Sequence, residues 1–396
     1  MKTQLQEPAF DIQKWRKEFP LLDTHIHLAN CSQSPQALRV RRAVDGYLNH
    51  WNSVGMDWDE WVGAVYGSKR EFACLIGGDA SEISMHSSVS QATYAVASAL
   101  DYSGRRNRIV ITDADFPTVV HIWNACRRLG YELESVPVRN GMIELADYER
   151  IVNERTLLTC IPAVYYLNGF KQDISAVAEI VHQKGSLLFV DAYQGLGTGP
   201  LDVRADAVDM LLSGNLKYLL GMPGSAYLYV RGELISAMRP MATGWFGQED
   251  PFAFDITRFR YAGDGRRFDT GTPPVIAAYA AQAGMSILNE VGVDNIKAWI
   301  DELSRFALTE MERLGMEIVS PREIRRKGPI TAVRVPDSHA VETALKEQRI
   351  IASARGPVIR LASHFFVTRE DIAQALETLA AILKNPPDHS GGRGPA

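Results

Sequence analysis

From about residue 79 the chain settles into a rhythm that few folds can satisfy. Short apolar runs of strand length alternate with segments whose apolar residues recur at helical spacing. RIVITDA (108–114) predicts a strand and TVVHIWNACRRLG (118–130) a helix. YELESVPV (131–138) and LTCIPAVYY (158–166) predict two more strands, and ISAVAEIVHQKG (174–185) a helix with glycine where a C-cap belongs. SLLFVDA (186–192), DMLLSG (209–214) and SAYLYV (225–230) complete the series. Strands separated by helices at this interval imply βαβ units, and therefore an α/β fold with a mostly parallel sheet.

The character changes after about residue 250. A polar, aromatic stretch, QEDPFAFDITRFRYAGDGRRF, leads into long helical patterns around 274–292 and 293–315. MEIVS (316–320), ITAVRV (330–335) and VIRLAS (358–363) predict short strands, and 369–384 a final helix. The expected organisation is an N-terminal arm (1–40), a large domain (41–260), a smaller C-terminal α+β domain (261–384) and a tail (385–396). That tail, NPPDHSGGRGPA, has no apolar face and is expected to be disordered. No internal repeat interrupts the pattern.

Charge and composition exclude several function classes. The net charge is −5 and no cluster of Lys and Arg is long enough to follow a phosphate backbone, which argues against nucleic-acid binding. The first twenty residues carry charges throughout and lack the apolar core of a signal peptide. No stretch reaches the ~18 uninterrupted apolar residues that a bilayer span needs, so no membrane association is expected. Cys31, Cys74, Cys126 and Cys160 are widely spaced with no CxxC, which speaks against a zinc site or a disulfide framework and for a reducing cytoplasm.

Two motifs imitate other chemistries. His25 and His27 in LLDTHIHL (21–28) have the spacing that opens a metal-dependent amidohydrolase barrel, but the remaining histidines form no second ligand pair. GLGTGP (195–200) lacks the third glycine of a dinucleotide loop and runs into proline where a helix should open. No metal is expected.

The stronger constellation is a pair. SLLFVDAYQ ends an apolar strand at Asp191, and SGNLKYLLGMPG sets Lys217 on a glycine-flanked loop shortly after. A lysine amine can form a Schiff base with an aldehyde cofactor. A buried carboxylate keeps a pyridine nitrogen protonated, so that the ring accepts electrons. Either residue alone says little; the two in this order, between strands, are much more specific.

At this point the chain resembles the class V branch of fold-type I pyridoxal 5′-phosphate (PLP) enzymes, which includes cysteine desulfurases, kynureninases and several aminotransferases. The resemblance runs from about residue 25 to 384 and is nearest to kynureninase. ADFPTVVH (114–121) is similar to that family's NFPT segment, VYYLNG (164–169) to V-x-Y-x-T-G, and LKYLLGMPG (216–224) to K-Y-L-x-x-x-P-G. TGWFGQ (243–248) resembles G-W-x-G-H, and DTGTPP (269–274) resembles S-N-P-P.

The resemblance implies a large domain with a seven-stranded, mostly parallel sheet flanked by helices, a smaller C-terminal domain, and PLP as cofactor. It implies that Lys217 carries the cofactor and acts catalytically, with Asp191 under the pyridine nitrogen and Tyr193 and Gln194 beside it. Phe116 is expected over the ring face, where the alternative is an ordinary core phenylalanine. Val89 and Ser90 precede a helical run and suit a phosphate, although Ser90 can equally be a plain helix cap. Tyr166 falls beside the cofactor's 3′-oxygen. Trp245 and Thr272 match positions that reach the phosphate of a neighbouring subunit, which implies a homodimer with shared active sites; core packing is the alternative for Trp245.

Arg360, between Ile359 and Leu361 in an alternating run, is the expected clamp for a substrate α-carboxylate. Arg355 either assists it or pairs with a nearby carboxylate. Asn30, in the substrate loop of the N-terminal arm, either touches substrate or serves a turn.

There are departures from these patterns. Positions 346–353 hold no cysteine, so the persulfide-carrying residue of the desulfurases is missing. Val119 stands where kynureninases often have Asp, Gln248 replaces a His, and Thr272 an Asn. The expected activity is kynureninase-like cleavage of an amino-acid side chain at Cβ–Cγ or C–S. Transamination is the alternative, and epimerisation ranks after it.

Overall fold

A computed structural model of the chain describes residues 7–385. Most of the tail expected to be disordered lies outside the described residues. Twelve strands run in chain order among the described residues. The first eight are β1 (Ile26–His27), β2 (Ile83–His86), β3 (Arg108–Thr112), β4 (Glu132–Val136), β5 (Thr156–Pro162), β6 (Leu187–Asp191), β7 (Met210–Gly214) and β8 (Ala226–Val230). Then come β9 (Ile330–Arg334), β10 (Ile350–Ile351), β11 (Ser353–Arg355) and β12 (Val358–Ala362).

The central sheet has seven strands in the order β2-β8-β7-β6-β5-β3-β4. Only the pairings of β8, with β2 and with β7, are antiparallel. Alternate residues of each strand enter opposite cores. Leu188 and Val190 pack on one face, Phe189 on the other with the helices Val89–Ala99 and Pro117–Ala125. Both faces are covered, so these strands read as continuous apolar runs.

From β3 the chain steps outward to β4, then crosses back to β5 and onward to β6 and β7. A reversal of this kind opens a crevice at the C-terminal ends of the strands, where open α/β sheets bind their ligands. Thr112, Pro162 and Asp191 end their strands at that edge.

A three-stranded antiparallel sheet, β11-β12-β9, forms a second unit. The N-terminal arm docks on it: β1 pairs with β10, and Phe19 packs on Phe365 and Phe366. The helix Val275–Val291, by contrast, packs on the helices Leu38–Val54 and Trp58–Ile76.

Most strand and helix expectations are met within two residues, with three corrections. LTCIPAVYY stops being a strand at Pro162, and Tyr165–Gly169 forms a turn closed by the Gly169 N–H on the Tyr165 carbonyl. The helix at 118–130 gives way after Ala125 to a 3-10 turn that ends at Gly130 with φ +103°. Segment 316–320 runs beside β9 but makes only the bridge Ile318–Val333. There the Ser320 hydroxyl, not a backbone carbonyl, accepts the Ala332 N–H at 2.8 Å, and Pro321 follows with no N–H to donate.

Candidate active site

The crevice at the strand ends holds a cavity of about 260 Å³. Val89, Ser90, Phe116, Tyr166, Asp191, Tyr193, Gln194 and Lys217, widely separated in sequence, all line it. Trp245, Thr272, Asn30 and Arg360 do not.

Asp191 ends β6 between β5 and β7 and is buried. Its Oδ1 accepts the Tyr193 N–H at 2.9 Å, and no other protein group bonds the carboxylate among the described residues. Burial raises its pKa, opposed by that N–H and by Lys217. Behind it lies a second buried carboxyl, Asp115, whose Oδ2 accepts the Thr112 N–H at 2.7 Å and hydroxyl at 3.0 Å. Burial, with the Asp191 charge adding to it, pushes Asp115 up to about 8, so it holds a proton at neutral pH.

Lys217 is fixed from below. Tyr218, Leu219 and Leu220 are all buried, and His364 Nε2 donates to the Tyr218 carbonyl at 3.0 Å. His364 Nδ1 accepts the Phe365 N–H, so the ring is the neutral Nε2–H tautomer, and burial holds its pKa down at about 4. The lysine amine lies 3.9 Å from the Tyr193 ring centre and 5.4 Å from that of Phe116. Burial lowers its pKa to about 8, with Asp191 pulling it back up and Arg360 adding to the decrease. A fraction of the amine is therefore uncharged and nucleophilic near neutrality.

This titration is measurable. Competitive acetylation of the cofactor-free protein, read by mass spectrometry of the Lys217 peptide, is expected to give a midpoint near 8. Asp191→Asn should move it lower, because the Asp191 charge is the largest effect favouring the ammonium form. A midpoint near the ordinary ~10.4 would show that the amine is not desolvated.

The opposite end of the cavity suits an anion. The helix Val89–Ala99 opens there, capped by the Ser88 hydroxyl, which accepts the Gln91 N–H at 3.2 Å. Ser90 and Thr118 hydroxyls lie 2.6 Å apart beside it. Ser225 and Gln194 line the same cavity, and the Ser225 hydroxyl and the Gln194 amide oxygen are buried without a hydrogen-bond partner among the described residues. Buried polar atoms left unpaired are costly unless a ligand satisfies them. Phe116 stands over the space, edge-on to Tyr166 at 5.2 Å.

Arg360 sits on β12 opposite Ser353 of β11. Its Nη1 donates to the Tyr166 carbonyl at 2.8 Å, and Nη2 donates to Ser353 Oγ at 2.6 Å and Ser32 Oγ at 3.2 Å. The guanidinium is 1% exposed, its Nε has no partner, and no carboxylate pairs with it among the described residues. Arg355 is exposed at the end of β11, across from Val358. Asn30 is fully buried and engaged, donating to the Ala362 carbonyl at 2.7 Å and accepting from Ser34 at 2.9 Å. Trp245 lies in an aromatic cluster with Trp58, Phe246, Phe252 and Phe254, while Thr272 is exposed.

Asp115, Thr118, Ser225, His364 and the two serines at Arg360 escaped the reading of the sequence. Only Ser353 had a usable signal, because a hairpin turning at Gly356–Pro357 puts it across from Arg360.

The aminotransferase class-V family model matches residues 27–370. An uncharacterized aminotransferase, YcbU, of Bacillus subtilis is 42% identical over 93% of this chain and 97% of its own length. A kynureninase of Deinococcus radiodurans is 26% identical over 93% of this chain and 92% of its own. Among solved structures, a cysteine desulfurase of Thermococcus onnurineus superposes with a TM-score of 0.86 at 20% identity, covering 96% of this chain and 99% of that one. C-DES, in a lysine-to-alanine mutant with glycine covalently linked to its PLP cofactor, gives 0.84 at 19% identity, covering 92% and 98%. A cavity with a buried carboxylate, a desolvated lysine and an anion end thus coincides with a match along most of the sequence: the chain belongs to the aminotransferase class-V family and is a fold-type I, PLP-dependent enzyme.

Proposed function

We propose that this enzyme cleaves the side chain of an amino acid, at Cβ–Cγ or C–S, in the manner of kynureninases and C–S lyases. Lys217 would hold the cofactor through its amine, with Asp191 at the pyridine nitrogen, Phe116 over the ring, Tyr193 and Gln194 beside it, and Val89 and Ser90 at the phosphate. When bound, PLP supplies an electron-accepting ring conjugated to the substrate nitrogen. Arg360, with Ser32 and Ser353, orients the substrate carboxylate, and Lys217 takes the α-proton.

The observation that carries the reading is Tyr166. Its phenol lines the cavity and has no hydrogen-bond partner among the described residues, while its own carbonyl is tied to Arg360. Side-chain cleavage must manage two protons, one at Cα and one at the departing fragment. Transamination moves a single proton between two carbons, which one lysine can do alone. A free O–H in the cavity, in addition to the Lys217 amine, therefore favours cleavage. With no cysteine at 346–353 to take up sulfur, a C–S substrate would release a free thiol or persulfide.

Incubation with kynurenine-like and cysteine-like amino acids should give alanine or pyruvate without any added keto acid. Product that forms only when a keto-acid acceptor is supplied would establish transamination instead. Tyr166→Phe is expected to lower kcat for cleavage by about a hundredfold with KM little changed, the loss typical of a general acid. Unchanged kcat would remove Tyr166 from the chemistry.

A homodimer with shared sites is part of the proposal. Met241, Phe254, Ile256 and Phe259 are more than 60% exposed in the segment that follows β8, and Phe254 stacks on Trp245; exposed apolar side chains of this kind are what partners cover. Trp245 and Thr272 would then face the phosphate in the partner. No described helix is long and apolar enough to cross a membrane, and all four cysteines are unpaired, which supports a reducing, cytoplasmic setting.

A further inference from the structure

A second cavity, of about 500 Å³, lies behind the candidate active site. One wall is the segment after β5, the other the loop before β9 together with the helix Val293–Arg313. The Phe170–Lys327 bridge and the Lys171 N–H on the Arg326 carbonyl at 2.8 Å join the two walls. Val164 lines both cavities, and Gly195, next to Gln194, lines this one.

Its lining holds four carboxylates (Glu144, Asp173, Asp206, Asp301) and five cations (Lys171, Lys297, Arg325, Arg326, Lys327), which do not all pair off; Arg325 pairs with Glu323. Arg326 pairs with Glu144 at 3.0 Å, and Lys297 pairs with Asp301. Asp173 caps its helix by accepting the Ala176 N–H, and Asp206 accepts from Ser175 at 2.5 Å and from the Asp202 N–H at 3.2 Å. Lys171 and Lys327 remain without a carboxylate within ion-pair distance among the described residues. Lys327 is 1% exposed, and its amine donates only to Ser304 Oγ at 2.9 Å and the Gly328 carbonyl at 3.1 Å. An ammonium buried without a counter-charge is unfavourable unless an anion arrives to meet it.

Burial lowers the pKa of both amines, Lys327 to about 7; Lys297 deepens the decrease and Asp301 opposes it, joined at Lys171 by Asp206 and Asp173. Ile143, Phe170 and Ile300 add apolar surface to the same walls, which suits a ligand with a carbon body more than a bare inorganic ion.

We infer that this cavity is a second binding site, separate from the catalytic one, that takes a small aliphatic dicarboxylate between Lys171 and Lys327. The ligand would bridge the central sheet to the C-terminal unit, and through Val164 and Gly195 its occupancy would be felt at the candidate active site.

Isothermal titration of PLP-loaded enzyme with succinate tests this, with inorganic phosphate run in parallel. One succinate per chain is expected to bind, at least tenfold more weakly in Lys171→Gln and in Lys327→Met, and unchanged in Arg360→Ala. Lys171 is only partly buried, so Lys171→Gln decides the matter even if Lys327→Met fails to fold. Absence of succinate binding overturns the site. So does equal affinity in wild type and Lys171→Gln, or binding lost in Arg360→Ala alone, which would locate succinate at the catalytic clamp. Phosphate binding as tight as succinate would show attraction by charge only and would overturn the dicarboxylate assignment.

Discussion

Lys217→Ala is expected to give a folded enzyme with no borohydride-reducible link to PLP and with turnover lowered by at least about 10³-fold. Two functions are lost together, the covalent anchor and the base at Cα, which is why this is the largest effect expected. The fold should survive. The loop is held by Tyr218, Leu219 and Leu220 and by the bond between His364 and the Tyr218 carbonyl, none of which needs the lysine amine. Removing a desolvated ammonium also takes away an unfavourable charge, so the unfolding midpoint should not fall. The measurements are absorbance near 420 nm before and after borohydride, peptide mapping of the reduced wild-type protein, and a thermal melt. A label mapping elsewhere, or a Lys217→Ala protein that still forms a reducible link, would overturn the assignment of the cofactor lysine.

How legible this site was depended on where each residue's partners lie. Asp191 and Lys217 could be read because both sit at the ends of short apolar runs whose strand identity is a local property. The helices Leu38–Val54 and Trp58–Ile76 could not be placed in the same way. The first buries only Val40 fully, and the apolar face of both rests on Val275–Val291, some two hundred residues further along. Strand β2 was likewise hidden, being four residues long and paired only with the distant β8. Asn30 shows the limit from the other side: a polar residue in a suspected substrate loop, whose amide the fold engages with Ala362 and Ser34. The strand expected at 316–320 had the right apolar pattern, but Ser320 took over the bond that would have extended its ladder.

Arg360 carries the second large expected effect. Its guanidinium is buried with hydroxyls and a carbonyl around it and no carboxylate partner, an arrangement that leaves most of its charge unanswered until an anion enters. Charge-assisted hydrogen bonds to a carboxylate contribute about 1.5–3 kcal/mol each. Arg360→Lys keeps the charge but loses the planar fork, so kcat/KM should drop by about a hundredfold, and by more in Arg360→Ala. A KM rise alone would mean that the clamp only binds. A loss in kcat as well is expected, because a carboxylate that swings free misaligns the Cα–H bond with the Lys217 amine.

Truncation also leaves Ser32, Ser353 and the Tyr166 carbonyl without their donor, so a general loss of packing must be separated from a loss of recognition. A substrate analogue lacking the α-carboxylate does this. Wild type should prefer the acid over the amine by the same factor that Arg360→Lys loses on the acid, and the variant should barely distinguish the two. Damage to the fold would slow both compounds alike and leave the ratio intact. If the ratio persists, a group other than Arg360 holds the carboxylate, and Arg355, close enough to lower the Lys217 pKa, is the next residue to replace.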